Sequence, residues 1–131
     1  MATVHFYEKP GCINNTRQKR LLQQAGHDVV VHDLLAAVWT PDTLRWFVGS
    51  GPVADWFNPT APAIRDGAVV PSRLSPEQAL KAMAADPLLI RRPLLEVDGV
   101  RHQGFDPDVI HAWIGLGEDR DDVGDLESCP M

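Results

Sequence analysis

The stretch Lys9-Pro10-Gly11-Cys12-Ile13-Asn14-Asn15-Thr16-Arg17 constrains this chain more than any other. Before it, Thr3-Val4-His5-Phe6-Tyr7 is short, β-branched and aromatic, and the Pro10-Gly11 breaker cuts it off, so it reads as a strand. After it, Arg17 to Ala25 puts Leu21, Leu22 and Ala25 on one face and Arg17, Lys19, Arg20, Gln23 and Gln24 on the other, and Gly26 ends the helix. Asn14 or Asn15 is placed to cap that helix, and Asn15-x-x-Gln18 imitates a capping box. A single cysteine therefore sits where a strand becomes a helix. The first N–H groups of a helix have no intrahelical partner, and the helix dipole adds partial positive charge there. A thiol in that place ionises readily, and the same N–H groups can hold an anion. Two fates are open at this point: a reactive thiolate beside an oxyanion pocket, or a small buried hydrophobe.

The chain continues with Val29-Val30-Val31-His32-Asp33-Leu34, a near-continuous apolar run of the kind found in a strand covered on both faces. Strand, helix, strand in this order makes a βαβ unit with two parallel strands and a right-handed crossover. Thr40-Pro41-Asp42 then starts a helix that carries Leu44, Phe47 and Val48 and stops at Gly49. Gly51-Pro52 opens a short helix through Asp55-Trp56-Phe57, closed by Asn58-Pro59, and Asn58 to Arg73 reads as loop. Ser75-Pro76-Glu77-Gln78 is a full capping box for a helix bearing Ala79, Leu80, Ala82 and Met83. Asp98-Gly99 is a hairpin turn that pairs Leu94–Val97 with Val100–Gln103. Asp106-Pro107 starts a last helix with Val109, Ile110, Trp113 and Ile114 inward.

This order defines an α/β fold of the thioredoxin/glutaredoxin type. A four-stranded mixed sheet is built from a βαβ unit and a ββα unit, with an inserted helical region at about residues 40–88. One domain is expected over residues 1–117, followed by an acidic, disordered tail over 118–131. The formal charge is −6, but residues 118–131 hold six acids against one base, so the low pI belongs to the tail. No basic footprint for nucleic acid is visible. No apolar run is long enough to span a membrane, and the start lacks a signal peptide, so a cytoplasmic, monomeric protein is expected.

Chemistry concentrates on a few residues. Cys12 and Cys129 are the two cysteines, too few for a disulfide framework or a zinc site. In this architecture the Cys12 end of the first helix meets the turn before the third strand, which is Arg91-Arg92-Pro93. A guanidinium there would lower the thiol pKa further and clamp an oxyanion through forked N–H groups. Arg92-Pro93 is a candidate cis peptide. Asn14, Asn15, Arg17 and Arg91 are the further anion-binding candidates, and Cys129 is a candidate resolving thiol on the tail. His5, His32 and His102 can cluster if their strands are neighbours, but no cysteine or carboxylate stands at ligand spacing, so no metal is expected. Trp39, Trp46, Trp56 and Trp113 fall at core-facing positions.

A Pro-x-Cys junction, a βα unit, a helical insertion, Asp-Pro-Leu-Leu-Ile-x-Arg-Pro and a hairpin ending in Gly-Phe-Asp together resemble the arsenate reductase family. Its branches include glutaredoxin-dependent arsenate reductases and Spx-type regulators. Gly-Cys-Ile-Asn-Asn-Thr-Arg-Gln-Lys, Asp-Trp-Phe-Asn and Leu-Ile-Arg-Arg-Pro-Leu are most similar to the nitrogenase-associated branch, over about residues 3–116. The resemblance implies that Cys12 is the nucleophile that attacks arsenate and that Arg92 stabilises the adduct. It implies no bound cofactor, glutathione as co-substrate, and glutaredoxin or a nitrogenase-related protein as partner. Two cationic positions of the family depart here, to Asn58 in the insertion and Phe105 before the last helix. The Cys-x-x-Cys switch of the Spx-type branch is absent, because Asn15 stands at its second position. The resemblance thus supports two readings, a single-thiol oxidoreductase and a binding protein that has lost the catalysis.

Overall fold

A computed structural model describes residues 2–49 and 51–116. The expected disorder of the tail over 118–131 therefore lies outside the described residues. Four strands form one sheet: β1 (Thr3–Glu8), β2 (Asp28–Asp33), β3 (Leu94–Val97) and β4 (Val100–Gln103). Their order is β2-β1-β3-β4. The β1–β2 pair is parallel, with Thr3 beside Asp28 and Glu8 beside Asp33. Both β1–β3 and β3–β4 are antiparallel. The hairpin turns at Asp98 (φ 51°) and Gly99 (φ 81°), two successive left-handed residues of the kind that match strand twist in a tight hairpin.

The alternation of β1 divides the molecule. Val4 and Phe6 face α1 (Ile13–Gln24) and α5 (Pro107–Ile114), joining Leu21, Leu22, Leu95, Val97, Phe105 and Ile110 in one apolar cluster. Tyr7 faces the insertion. There α2 (Pro41–Arg45), α3 (Pro62–Arg65), α4 (Pro76–Ala85) and short 3-10 turns build a second cluster around Leu34, Leu44, Phe57, Leu80, Met83 and Leu94. Two of the insertion helices start on reciprocal caps, Thr40 with Thr43 and Ser75 with Gln78, and each has Pro in its first turn.

Four local expectations change. β2 is an edge strand, not one covered on both faces. The strand order leaves it with a single neighbour, and Val30 and Val31 stay 39 % and 49 % exposed. Helix α1 starts at Ile13 with Cys12 itself as N-cap, because Asn15 does not cap. Its Oδ1 accepts from Lys9 N–H at 3.2 Å and its Nδ2 donates to Gln18 Oε1 at 2.9 Å, so it ties the preceding loop down instead. The stretch 58–73 contains α3, started by Pro62, and a 3-10 turn at Pro71–Arg73, so it is not all loop. Finally, Trp46 and Val109 point outward, at 67 % and 45 % exposure.

Candidate thiol site at the end of the sheet

The loop from β1 into α1 is short and tightly held. Gly11 sits at φ +83°, a conformation that a side chain would strain. Cys12 N–H donates to Lys9 O at 3.2 Å, and Cys12 O accepts from Thr16 N–H at 3.2 Å and from Thr16 Oγ1 at 3.3 Å. Beneath the loop, Glu8 on the α1 side of β1 accepts from Lys19 Nζ at 3.0 Å. The Val4-x-Phe6-x-Glu8 alternation is a sequence signal for that carboxylate, which the reading from sequence missed.

Cys12 is 4 % exposed, yet it belongs to neither apolar cluster. The Cys12 side chain makes no capping hydrogen bond to the first turn of α1. The Cys12 sulfur is engaged in a disulfide. The chain's other cysteine, the resolving candidate Cys129, lies outside the described residues.

Arg92 reaches the same end of the sheet by the register of the strands. Tyr7 pairs with Leu94, and β1 runs antiparallel to β3. Stepping forward along β1 toward Cys12 therefore steps backward along β3 toward Pro93 and Arg92. Arg92 is 2 % exposed, and burial pushes its guanidinium below the ordinary arginine value. The Arg92–Pro93 peptide is cis, and Pro93 O accepts from Gly104 N–H at 2.8 Å. Adjacent Arg91 takes another direction: its Nη2 donates to Gln103 O at 3.3 Å, and it lines a cavity that contains neither Cys12 nor Arg92. Of the remaining anion-binding candidates, Asn14 and Asn15 are buried in the first turn of α1, and Arg17 is exposed on that helix.

Gln103 was not singled out by sequence. Its buried amide donates to Trp56 O at 2.9 Å and to Arg91 O at 3.0 Å, joining the insertion to the turn before β3. Nothing in a lone glutamine at a strand end announces that role. Asn58, near which the resemblance implies a family arginine, is 6 % exposed; its Oδ1 accepts from Thr60 N–H and Thr60 Oγ1. Phe105, where the resemblance implies another family cation, is 1 % exposed within the α1/α5 cluster.

The histidines divide. His5 Nδ1 and His32 Nε2 lie 3.0 Å apart, with Tyr7 stacked on His32 at 4.6 Å. His102 instead packs against Trp113. Among the described residues, no group of three or more His, Cys, Asp or Glu is arranged to hold a metal ion. Nor is any helix among them long and apolar enough to cross a membrane.

A cysteine at the N-cap of the first helix and a buried arginine on the turn before β3, on a four-stranded mixed sheet, define a thioredoxin-like protein. The comparisons agree. The model of the ArsC family matches residues 15–113, so the chain belongs to the ArsC family. The "Uncharacterized 15.7 kDa protein in draG 3'region" of Rhodospirillum rubrum is 51 % identical over 130 residues, covering 99 % of this chain and 90 % of that protein. An arsenate reductase from Vibrio cholerae superposes with a TM-score of 0.71 at 23 % identity, covering 85 % of this chain and 97 % of that one. An arsenate reductase related protein from Brucella melitensis superposes with a TM-score of 0.63 at 27 % identity, covering 87 % and 96 %.

Proposed function

We propose that this protein is a single-thiol oxidoreductase of arsenate reductase type, acting in the cytoplasm with glutathione or glutaredoxin as reductant. The observation that carries the reading is the location of Cys12 at the start of α1, at the sheet end that Arg92 also reaches. In the reduced protein the Cys12 thiolate attacks the arsenic of arsenate and forms an S–As(V) bond with loss of water. The positive end of α1 and the Arg92 guanidinium hold the negative charge of the adduct. Two external thiols then supply two electrons and leave as a disulfide, arsenic(III) departs as arsenite, and Cys12 is regenerated. Asn14, Asn15 and Arg17 remain candidates for the oxyanion, and Cys129 for an internal resolving thiol; Arg91, turned toward Gln103, does not.

A coupled assay with arsenate, glutathione and glutaredoxin tests this on protein reduced beforehand. Wild type should oxidise the thiols and Cys12→Ser should fall to background. In parallel, reduced Cys12 should alkylate with a midpoint well below the ordinary thiol value of about 8.5. An ordinary midpoint together with no turnover would defeat the proposal.

A second reading is favoured by Asn58 and Phe105. A buried amide and a core phenyl ring stand where the family places cations, and losing one oxyanion partner costs about a hundredfold to a thousandfold in rate. On that reading the protein binds a nitrogenase-related partner without catalysis. The draG region in the relative's name and the nitrogenase-associated motifs support a setting in nitrogen fixation. Cys12→Ser would then leave partner binding intact.

A further inference from the structure

On the insertion side of the sheet, between α2 and the β3–β4 hairpin, lies a cavity of about 300 Å³ lined by Trp46, Phe47, Trp56, Arg91, Arg101 and Gln103, among others. A second cavity of about 240 Å³ adjoins it and shares Trp46, Phe47 and Arg101. The Cys12–Arg92 site contributes no residue to either one. We propose that this aromatic and guanidinium-lined groove is a binding site for a planar aromatic anion, such as a ring carboxylate, separate from the thiol site.

Several observations carry the proposal. Trp46, the C-cap residue of α2, leaves 67 % of its surface in water, so its ring is accessible to a ligand at the cavity mouth. The Arg101 guanidinium lies 5.9 Å from the Trp46 ring and 5.8 Å from the Phe47 ring, so flat apolar surface and positive charge meet at one place. Glu96 holds Arg101 at 3.6 Å, longer than a direct hydrogen bond, and a guanidinium has five N–H donors in a fork that fits a carboxylate. Within the larger cavity two arginines face one carboxylate, Asp55, which is exposed; Glu96 lines the neighbouring cavity. Trp56, 8 % exposed, adds a second indole to the lining of the larger cavity. The larger volume is at the lower end of small-molecule sites, which favours one or two fused rings.

The probe is naphthalene-2-carboxylate, followed by tryptophan fluorescence and by the indole N–H signals of the full-length protein. Neutral 2-naphthol has the same ring, and inorganic phosphate has charge without a ring. Naphthalene-2-carboxylate should bind at least about tenfold more tightly than either. Arg101→Gln should weaken the carboxylate about tenfold while leaving naphthol unchanged, and Trp46→Ala should weaken both ring probes. Cys12→Ser should bind like wild type, so failure of the thiol chemistry and failure of this site are separately visible. If Arg101→Gln does not fold, Trp46→Ala decides, because that side chain is exposed. Equal binding of carboxylate and naphthol, no binding by wild type, or no effect of Trp46→Ala would each overturn the proposal.

Discussion

The two faces of the sheet are packed by different means. On one, α1 and α5, of 12 and 8 residues, lay continuous apolar stripes on Val4, Phe6, Leu95 and Val97. On the other, the insertion covers Tyr7 and Leu94 with α2 and α3, of 5 and 4 residues, with 3-10 turns, and with the longer α4. Short pieces cannot lay a continuous ridge into a groove, so they meet the sheet at separate points. The two cavities lined by Trp46, Phe47 and Arg101 lie on that face. The long elements therefore provide a firm base for Cys12, and the short ones leave room for polar side chains such as Arg91, Arg101 and Gln103.

The largest expected effect tests that contrast directly. Phe6→Ala removes a fully buried ring between two helices and should cost about 4 kcal/mol of unfolding free energy. Phe47 already borders both cavities and is 6 % exposed, so Phe47→Ala should cost less, about 3 kcal/mol. Urea unfolding of both variants measures the difference. Equal losses would mean that the two faces are equally well packed.

A smaller effect is expected at the lower end of the α1/α5 face. His27 is 7 % exposed, accepts from Ala2 N–H through Nδ1 at 3.0 Å, and donates through Nε2 to Gly115 O at 2.8 Å. The acceptor role of Nδ1 and the donor role of Nε2 fix one neutral tautomer. The ring fastens the start of β1 to the end of α5. His27→Ala leaves a buried N–H and a carbonyl without this partner and should cost about 2 kcal/mol. Hydrogen exchange should quicken at both chain segments together. Faster exchange at only one of them would show that the ring does not join them.

The firm face was also the more legible one. Pro10-Gly11, the Leu21-Leu22-Ala25 stripe, Gly26 and Asp98-Gly99 are local signals, and each strand pairing they implied is present. The four-stranded mixed sheet followed from them. In the insertion the legible helices are those with a local start signal, the caps at Thr40 and Ser75 and the Gly51-Pro52 pair before the turn at Val53–Trp56. The short helix at Pro62 has too few residues for a periodic pattern, and proline at a first helical position also fits a loop. Arg91 and Arg92 looked alike in sequence. One is turned to Gln103 and a cavity and the other is buried, a division set by the β3–β4 hairpin and the insertion together. The Val29-Val30-Val31 run misleads for a similar reason, because an apolar run does not state its place in the strand order.

The smallest effect concerns Tyr7, the chain's one tyrosine, which makes it an unmixed reporter of the insertion face. Its hydroxyl pKa is raised above the ordinary value of 10.0, first by burial, next by Glu96, and Arg101 pulls it partly back. Trp39 and Phe47 set their ring edges against it at 5.3 and 5.6 Å. The unfolded chain should lose this proton near its ordinary value, whereas the folded chain retains it to higher pH. The contribution of Tyr7 to stability is therefore complete below about pH 10 and is lost as the pH rises through the folded value. Tyrosinate absorbance measured against pH, in native and urea-unfolded protein, gives the two midpoints. Arg101→Gln should move the native midpoint higher and Glu96→Gln lower. Because burial is the largest cause, the Glu96→Gln midpoint should still lie above that of the unfolded chain. A native midpoint equal to the unfolded one would mean that water reaches Tyr7 freely, and that the short helices do not close over this half of the sheet.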